Sequence, residues 1–189
     1  MGLISIASIA TITTLSQDFY SSPKGVKADE TKILGHIELV LYGADGAIKA
    51  YRQTDNLVVT NGDNVTANQI FGTSLPTSHT PFSGSFQYIG VGTSGTAAAV
   101  TQTDLLIPQS NHRLATVTNG AIHGTAQVQV TFPANRLTNS SAVGIQESGL
   151  FDAFGNTTSN SNMFARQTFS SINVNPADTL KITWTVTIT

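Results

Sequence analysis

"TLKITWTVTIT", residues 179–189, alternates apolar and polar residues without a slip. Leu180, Ile182, Trp184, Val186 and Ile188 fall on one side, and Lys181 with a row of threonines on the other. A period of two is the signature of a β-strand buried on one face. Such a face needs a second apolar layer to cover it, so the fold turns on how many other segments repeat the pattern.

Many do. "TAQVQVTF" (125–132) alternates as cleanly, which predicts Val128, Val130 and Phe132 inward and Gln127, Gln129 and Thr131 outward. "ILGHIELVLYGADGAIKAYRQ" reads as a hairpin, with Asp45-Gly46 supplying the φ > 0 residue that a tight turn requires. "NLVVT" (56–60), "FQYIGVG" (86–92), "AVGIQESGLFDA" (142–153) and "NMFARQTF" (162–169) are further strands, and "TDLLI" (103–107) and "HRLATVT" (112–118) are weaker candidates. "NGDNVTANQIFG" (61–72) is the one plausible helix, two or three turns long, with Asn61 or Asp63 as its cap and Gly72 as its stop. Several short strands separated by Gly, Asn, Ser and Pro turns predict an all-β fold, an antiparallel β-sandwich of jelly-roll-like kind. Phe132, Phe151 and Trp184 are expected in its core. The strand over 179–189 is expected to run between two others, with its threonine face towards solvent or a sister subunit.

The N-terminal segment differs. "MGLISIASIATITTLSQDFY" is rich in Ile and Thr, and its first basic residue is Lys24, so the charged start of a secretory signal is missing. "SSPKGVKADETK" (21–32) then places five charges in twelve residues. The expected organisation is an extended arm and hinge over 1–32 and a β-sandwich body over 33–189. Ile4, Ile6, Ile9, Ile12 and Leu15 are the arm residues expected to make assembly contacts.

Composition narrows the function. Charged residues make up 11% of the 189-residue chain, where an ordinary domain carries roughly 25%. The formal net charge is −2, so no basic field invites nucleic acid or an anionic membrane. A weakly charged surface does little to keep copies apart. The chain has no cysteine, which excludes a disulfide framework, a thiolate metal site and a Cys nucleophile.

Motifs that carry chemistry are weak. "GVGTSG" (90–95) is a literal G-x-G-x-x-G, but Pro108 and the flanking strand patterns give no βαβ unit, and it reads as a glycine-rich connection between strands. His36, His79, His112 and His123 show no metal-ligand spacing. Glu147 and Asp152 are the acids of the most distinctive segment and would point to opposite faces of a regular strand. An Arg inside the apolar strand "MFARQTF" calls for a partner, so Arg166 with Glu147 or Asp152 is the expected ion pair. No catalytic residue, metal or cofactor is expected. Asn64, Asn139 and Asn156 begin glycosylation sequons of the kind that chance supplies in a chain rich in Asn, Ser and Thr.

"YIGVGTSGTAAAVTQTDLLI", "VTFPA", "GIQESGLFDAFGN" and "MFARQTFSSINVNPADTLKITWTVTIT", preceded by "IELVLYGADGAIKAYRQTDNLVVTNGDN", together resemble a family of small structural proteins of tailed bacteriophages and related viruses. The resemblance runs from about residue 37 to 189 and leaves the arm outside it. Gln146 stands where the family usually has Thr, and "GNTTSNSN" lengthens one loop. The resemblance implies a non-enzymatic virion component, made in the host cytoplasm and binding copies of itself and the major capsid protein or other virion proteins. A capsid decoration or cement protein, as a trimer, is the first expectation. A tail, neck or tail-fibre component is the second. A carbohydrate-binding sandwich, with Trp184, Tyr20, Tyr42, Tyr51 or Tyr88 as a stacking face, is the third.

Overall fold

The structure is a computed structural model that describes residues 32–72, 84–109, 113–120, 123–155 and 161–189. The chain divides into two compact units, Met1–Glu30 and Thr31–Thr189, and every described residue belongs to the second. The arm residues Ile4, Ile6, Ile9, Ile12 and Leu15 therefore lie outside the described residues.

Among the described residues ten strands and one helix follow in order: β1 (Ile33–Tyr42), β2 (Ile48–Asp55), β3 (Leu57–Val58), α1 (Thr60–Phe71), β4 (Tyr88–Gly92), β5 (Arg113–Leu114), β6 (Thr116–Asn119), β7 (Thr125–Phe132), β8 (Val143–Phe151), β9 (Met163–Val174) and β10 (Thr179–Ile188). They form two five-stranded antiparallel sheets. The first sheet has the order β2-β1-β10-β7-β6 and the second β3-β9-β8-β4-β5. The architecture is the all-β sandwich that the alternation predicts.

β10 runs between β1 and β7, and Trp184 sits opposite both Ile37 and Val128. The inward row Leu180, Ile182 and Trp184 is buried, as are Val128, Val130 and Phe132 on the neighbouring strand. From the other sheet Ile89, Val91, Ile145, Leu150, Ile172 and Val174 complete the same core. The indole of Trp184 is not stranded there. Its Nε1–H donates to Ser148 Oγ at 3.3 Å, and that hydroxyl donates to the Gly90 carbonyl at 2.9 Å, which joins the two sheets through polar groups.

The first hairpin turns where Asp45-Gly46 placed it. Gly46 has φ 78°, and Asp45 Oδ1 accepts the Ala47 N–H at 3.0 Å. α1 ends at Gly72, whose left-handed backbone donates its N–H to the Asn68 carbonyl. Its start departs from expectation. Val59 precedes the first turn and no side chain caps it. The Thr60 N–H bonds the Val100 carbonyl and the Asn61 amide bonds Asn162, so tertiary partners occupy the residues that a local cap would use.

Three strand readings also change. "TDLLI" forms no strand, and only Pro108 bridges back to Gly92. "HRLATVT" is two strands in different sheets, β5 and β6, with the chain crossing at Ala115. "NLVVT" pairs over Leu57–Val58 alone before the helix begins. In each case a neighbour competes for backbone groups that a longer ladder would need.

Candidate functional site

The densest chemistry lies on the outer face of the second sheet. Ser148 points inward to Trp184, so its neighbour Glu147 points outward, by the alternation of a strand. Arg166 of β9 meets it there, and both side chains are 0% exposed. Arg166 Nε and Nη2 lie 2.8 and 2.7 Å from Glu147 Oε2. The same carboxylate accepts the backbone N–H groups of Ser94 at 3.3 Å, Leu106 at 3.1 Å and Ile107 at 2.8 Å. The guanidinium uses its other hydrogens on Gln102 Oε1 at 2.9 Å and the Thr96 carbonyl at 3.1 Å.

These contacts clamp the segment 93–109 onto the sheet. A buried ion pair of this kind is costly to desolvate and is repaid only when the remaining hydrogen-bonding positions are filled, as they are here. Glu147 takes five N–H donors, so its oxygens are committed to holding the loop. Gly92 belongs to the same construction. A Cβ there would strike Glu147 Oε1 and the Ile107 carbonyl. The second glycine of "GVGTSG" is therefore required by the clamp and not by a phosphate.

Asp152 does not join the pair. Its carboxylate accepts the backbone N–H of Asn162 at 2.6 Å and the Asn162 side-chain amide at 2.7 Å. Asn162 Oδ1 in turn accepts from Asn61 at 3.3 Å. This polar chain ties the β8–β9 connection to the first turn of α1. The sequence left Glu147 and Asp152 open as partners for Arg166, and the fold selects Glu147. Asp152 falls just past the end of β8, beyond a register shift at Leu150/Phe151.

Of the expected core residues, Phe132 and Trp184 lie between the sheets. Phe151 is fully buried but belongs to a smaller cluster with Val59, Leu105 and Met163. Leu105 comes from the clamped loop. The burial of Trp184 removes it as a stacking platform for a glycan. Tyr51 is half-exposed, and its hydroxyl lies within hydrogen-bond distance of Glu38 Oε2 and Gln53 Oε1, to one of which its single proton is donated. His36 Nδ1 lies 3.1 Å from Asp55 on the exposed face of the first sheet, and His123 is exposed. His79 and His112 lie outside the described residues. Among the described residues no group of three His, Asp or Glu side chains is placed to hold a metal ion.

Sequence reasoning missed the Lys49–Asp178 pair, whose ammonium reaches both carboxylate oxygens at 2.9 and 2.8 Å. Asp178 also accepts from the backbone and side chain of Asn175. Burial pushes the Asp178 carboxyl up, but Lys49 and Asn175 together outweigh it and hold it below the usual carboxylate range. The signal was available in "NPADT", where an Asp closes a proline turn and bonds back to the residue before it. Asp104 shifts the other way, raised chiefly by burial and also by the charge of Glu147.

Among the described residues, apolar side chains are exposed at several places. Leu106 and Ile107 project from the clamped loop, with Ile107 56% exposed. Another is a groove of about 240 Å³ between the sheets, lined by Ile33, Phe86, Val117, Val186 and Ile188 among others. No protein-family model, curated protein or solved structure matches the chain.

Proposed function

We propose that this chain is a non-catalytic structural protein of a virion, a capsid decoration or cement protein that binds the shell and resists its opening. The observation that carries the reading is the Glu147 clamp. A carboxylate and a guanidinium are buried, bonded to each other, to three loop N–H groups, to the Thr96 carbonyl and to the Gln102 side chain, and the result is a loop held in place with Leu106 and Ile107 half out of the protein. Apolar side chains held in place before contact bind with less entropy lost on ordering. The sequence resemblance to phage structural proteins and the sparse surface charge support the same reading.

In this role the body contacts the shell through Leu106 and Ile107, and the arm over 1–32 adds a second attachment. Copies assemble, as a trimer, beside the major capsid protein, and many weak contacts combine through multivalency. The same body would serve a tail or neck component. Counting copies in purified particles by quantitative mass spectrometry and locating them by electron microscopy tests the proposal. A copy number that follows the capsid lattice is expected, and a few copies at a single vertex would transfer the protein to the tail. Deleting residues 1–20 should leave a folded body that no longer attaches. Full occupancy by the truncated chain would overturn the role given to the arm.

A further inference from the structure

The direction of each backbone group along β2 can be assigned from its neighbours. The Gly35 carbonyl of β1 accepts the Asn56 N–H, while Lys32 exchanges both of its backbone bonds with Thr189. Alternation along β1 then turns Ile37, Leu39 and Leu41 towards β2, and His36, Glu38 and Val40 towards β10. The register carries this across. Ala50, Arg52 and Thr54 direct their N–H and C=O groups into the ladder, and Tyr51, Gln53 and Asp55 direct theirs outward. Among the described residues β2 ends the first sheet, and the residues flanking it, 43–47 and Asn56, are themselves described.

Two of these three outward carbonyls are already bonded to side chains. Arg52 Nη1 donates to the Tyr51 carbonyl at 2.7 Å. Gln167 Nε2, from β9 of the second sheet, donates to the Asp55 carbonyl and also to Thr54 Oγ1 at 3.2 Å, which fixes the amide at that end of the strand. Arg52 starts from an unusual place. It sits opposite Leu39, whose side chain is fully buried, so the arginine springs from the core face of the strand. Its guanidinium turns round the edge to reach a carbonyl that points away from the ladder. A strand arriving on this side would have to break that bond and lay its own inner side chains over the charge.

We infer that Arg52, supported by Gln167, blocks the β2 edge and keeps copies of this chain from joining through it strand to strand. The rest of β2 is suited to such joining. It is eight residues long, contains no proline and exposes Ile48 and Tyr51. The surface around it is poor in the charge that keeps copies apart. The contact that the block excludes is a second copy of β2 laid antiparallel across a two-fold axis. A register centred on Tyr51 or on Gln53 would bring two Arg52 side chains to one seam, where like charges oppose pairing. The inference does not depend on the virion reading, and bears on it only by removing one route of assembly.

Amide hydrogen exchange on the full chain reads the edge directly. In the native protein the N–H groups of Arg52 and Thr54 should exchange slowly, and those of Tyr51, Gln53 and Asp55 fast, at every protein concentration. Slow exchange at the three outward groups would overturn the inference, because the edge would then be occupied. Arg52→Leu suits the core face and removes both the charge and the carbonyl bond. It should keep the native circular dichroism and urea midpoint, and sedimentation should show self-association at least about tenfold tighter than that of the native chain. Protection should appear at Tyr51, Gln53 and Asp55 in step with that association. Adding Gln53→Pro, where the N–H points away from the ladder, should restore native sedimentation. Arg52→Ala, which cannot overpack the core face, should behave as Arg52→Leu does and serves if the leucine variant fails to fold. Association no tighter than the native chain's, or association that Gln53→Pro leaves intact, would show that Arg52 guards nothing.

Discussion

The two sheets treat their outer faces in opposite ways. On the first, Lys181, Thr183, Thr185 and Thr187 face outward beside Gln127, Gln129 and Thr131, and the pairs are light: Gln129 reaches Thr183, and Thr125 meets Thr187. On the second, the outward positions hold Glu147, Arg166, Phe151 and Met163, all buried beneath the 93–109 loop and the start of α1. Both faces alternate with a dry core. What separates them is whether the chain between strands returns to cover the sheet. A polar residue on an uncovered face is interchangeable with water, whereas one on a covered face must find every partner inside the protein.

The largest test of this contrast is Glu147→Ala. It leaves a buried guanidinium and three backbone N–H groups without their acceptor, and should cost about 3–5 kcal/mol in urea unfolding. Adding Arg166→Met should recover part of the loss, because the unpaired charge is gone while the three N–H groups still lack a partner. Full recovery would mean that the loop contributes little to the clamp. Trp184→Phe comes next, at about 2 kcal/mol by thermal melting, since it opens a cavity and removes the bond to Ser148.

Asp178→Asn should cost about 1–2 kcal/mol, moderated because the Lys49 side chain is 40% exposed. The sign of its pH dependence follows from the lowered folded pKa. The contribution of Asp178 is present above the unfolded value of about 3.9 and is lost as pH falls through the lower folded value. The variant should therefore have a flatter acid limb than the native chain. Asp104→Asn should act in the opposite direction. Its folded pKa is raised, so the native group loses stability as pH rises through that window, and the variant should be slightly more stable near neutral pH. The smallest effect is expected on the uncovered face, where Thr183→Val should stay within about ±0.5 kcal/mol. A loss of several kcal/mol there would show that this face is covered too.

Residue by residue, what could be read locally was read well. Alternation identified β7 and β10 with their inward rows, Asp45-Gly46 gave the first turn, and Gly72 gave the end of α1. The need of Arg166 for a carboxylate was legible from one charged residue in an apolar strand. Its choice of Glu147 was not, because that depends on the β8–β9 register. The loop that pins Leu106 and Ile107 read as a weak strand, since a backbone N–H satisfied by a carboxylate about forty residues away in sequence leaves no local mark.

By itself, then, the sequence determined the class of fold, the two-layer burial and the low surface charge, because period, turn chemistry and composition act over a few residues at a time. Only the tertiary structure decided which outer face the 93–109 loop covers and which acid holds Arg166. Those outcomes depend on strand order and register, and strand order is set by contacts between segments that the chain keeps far apart.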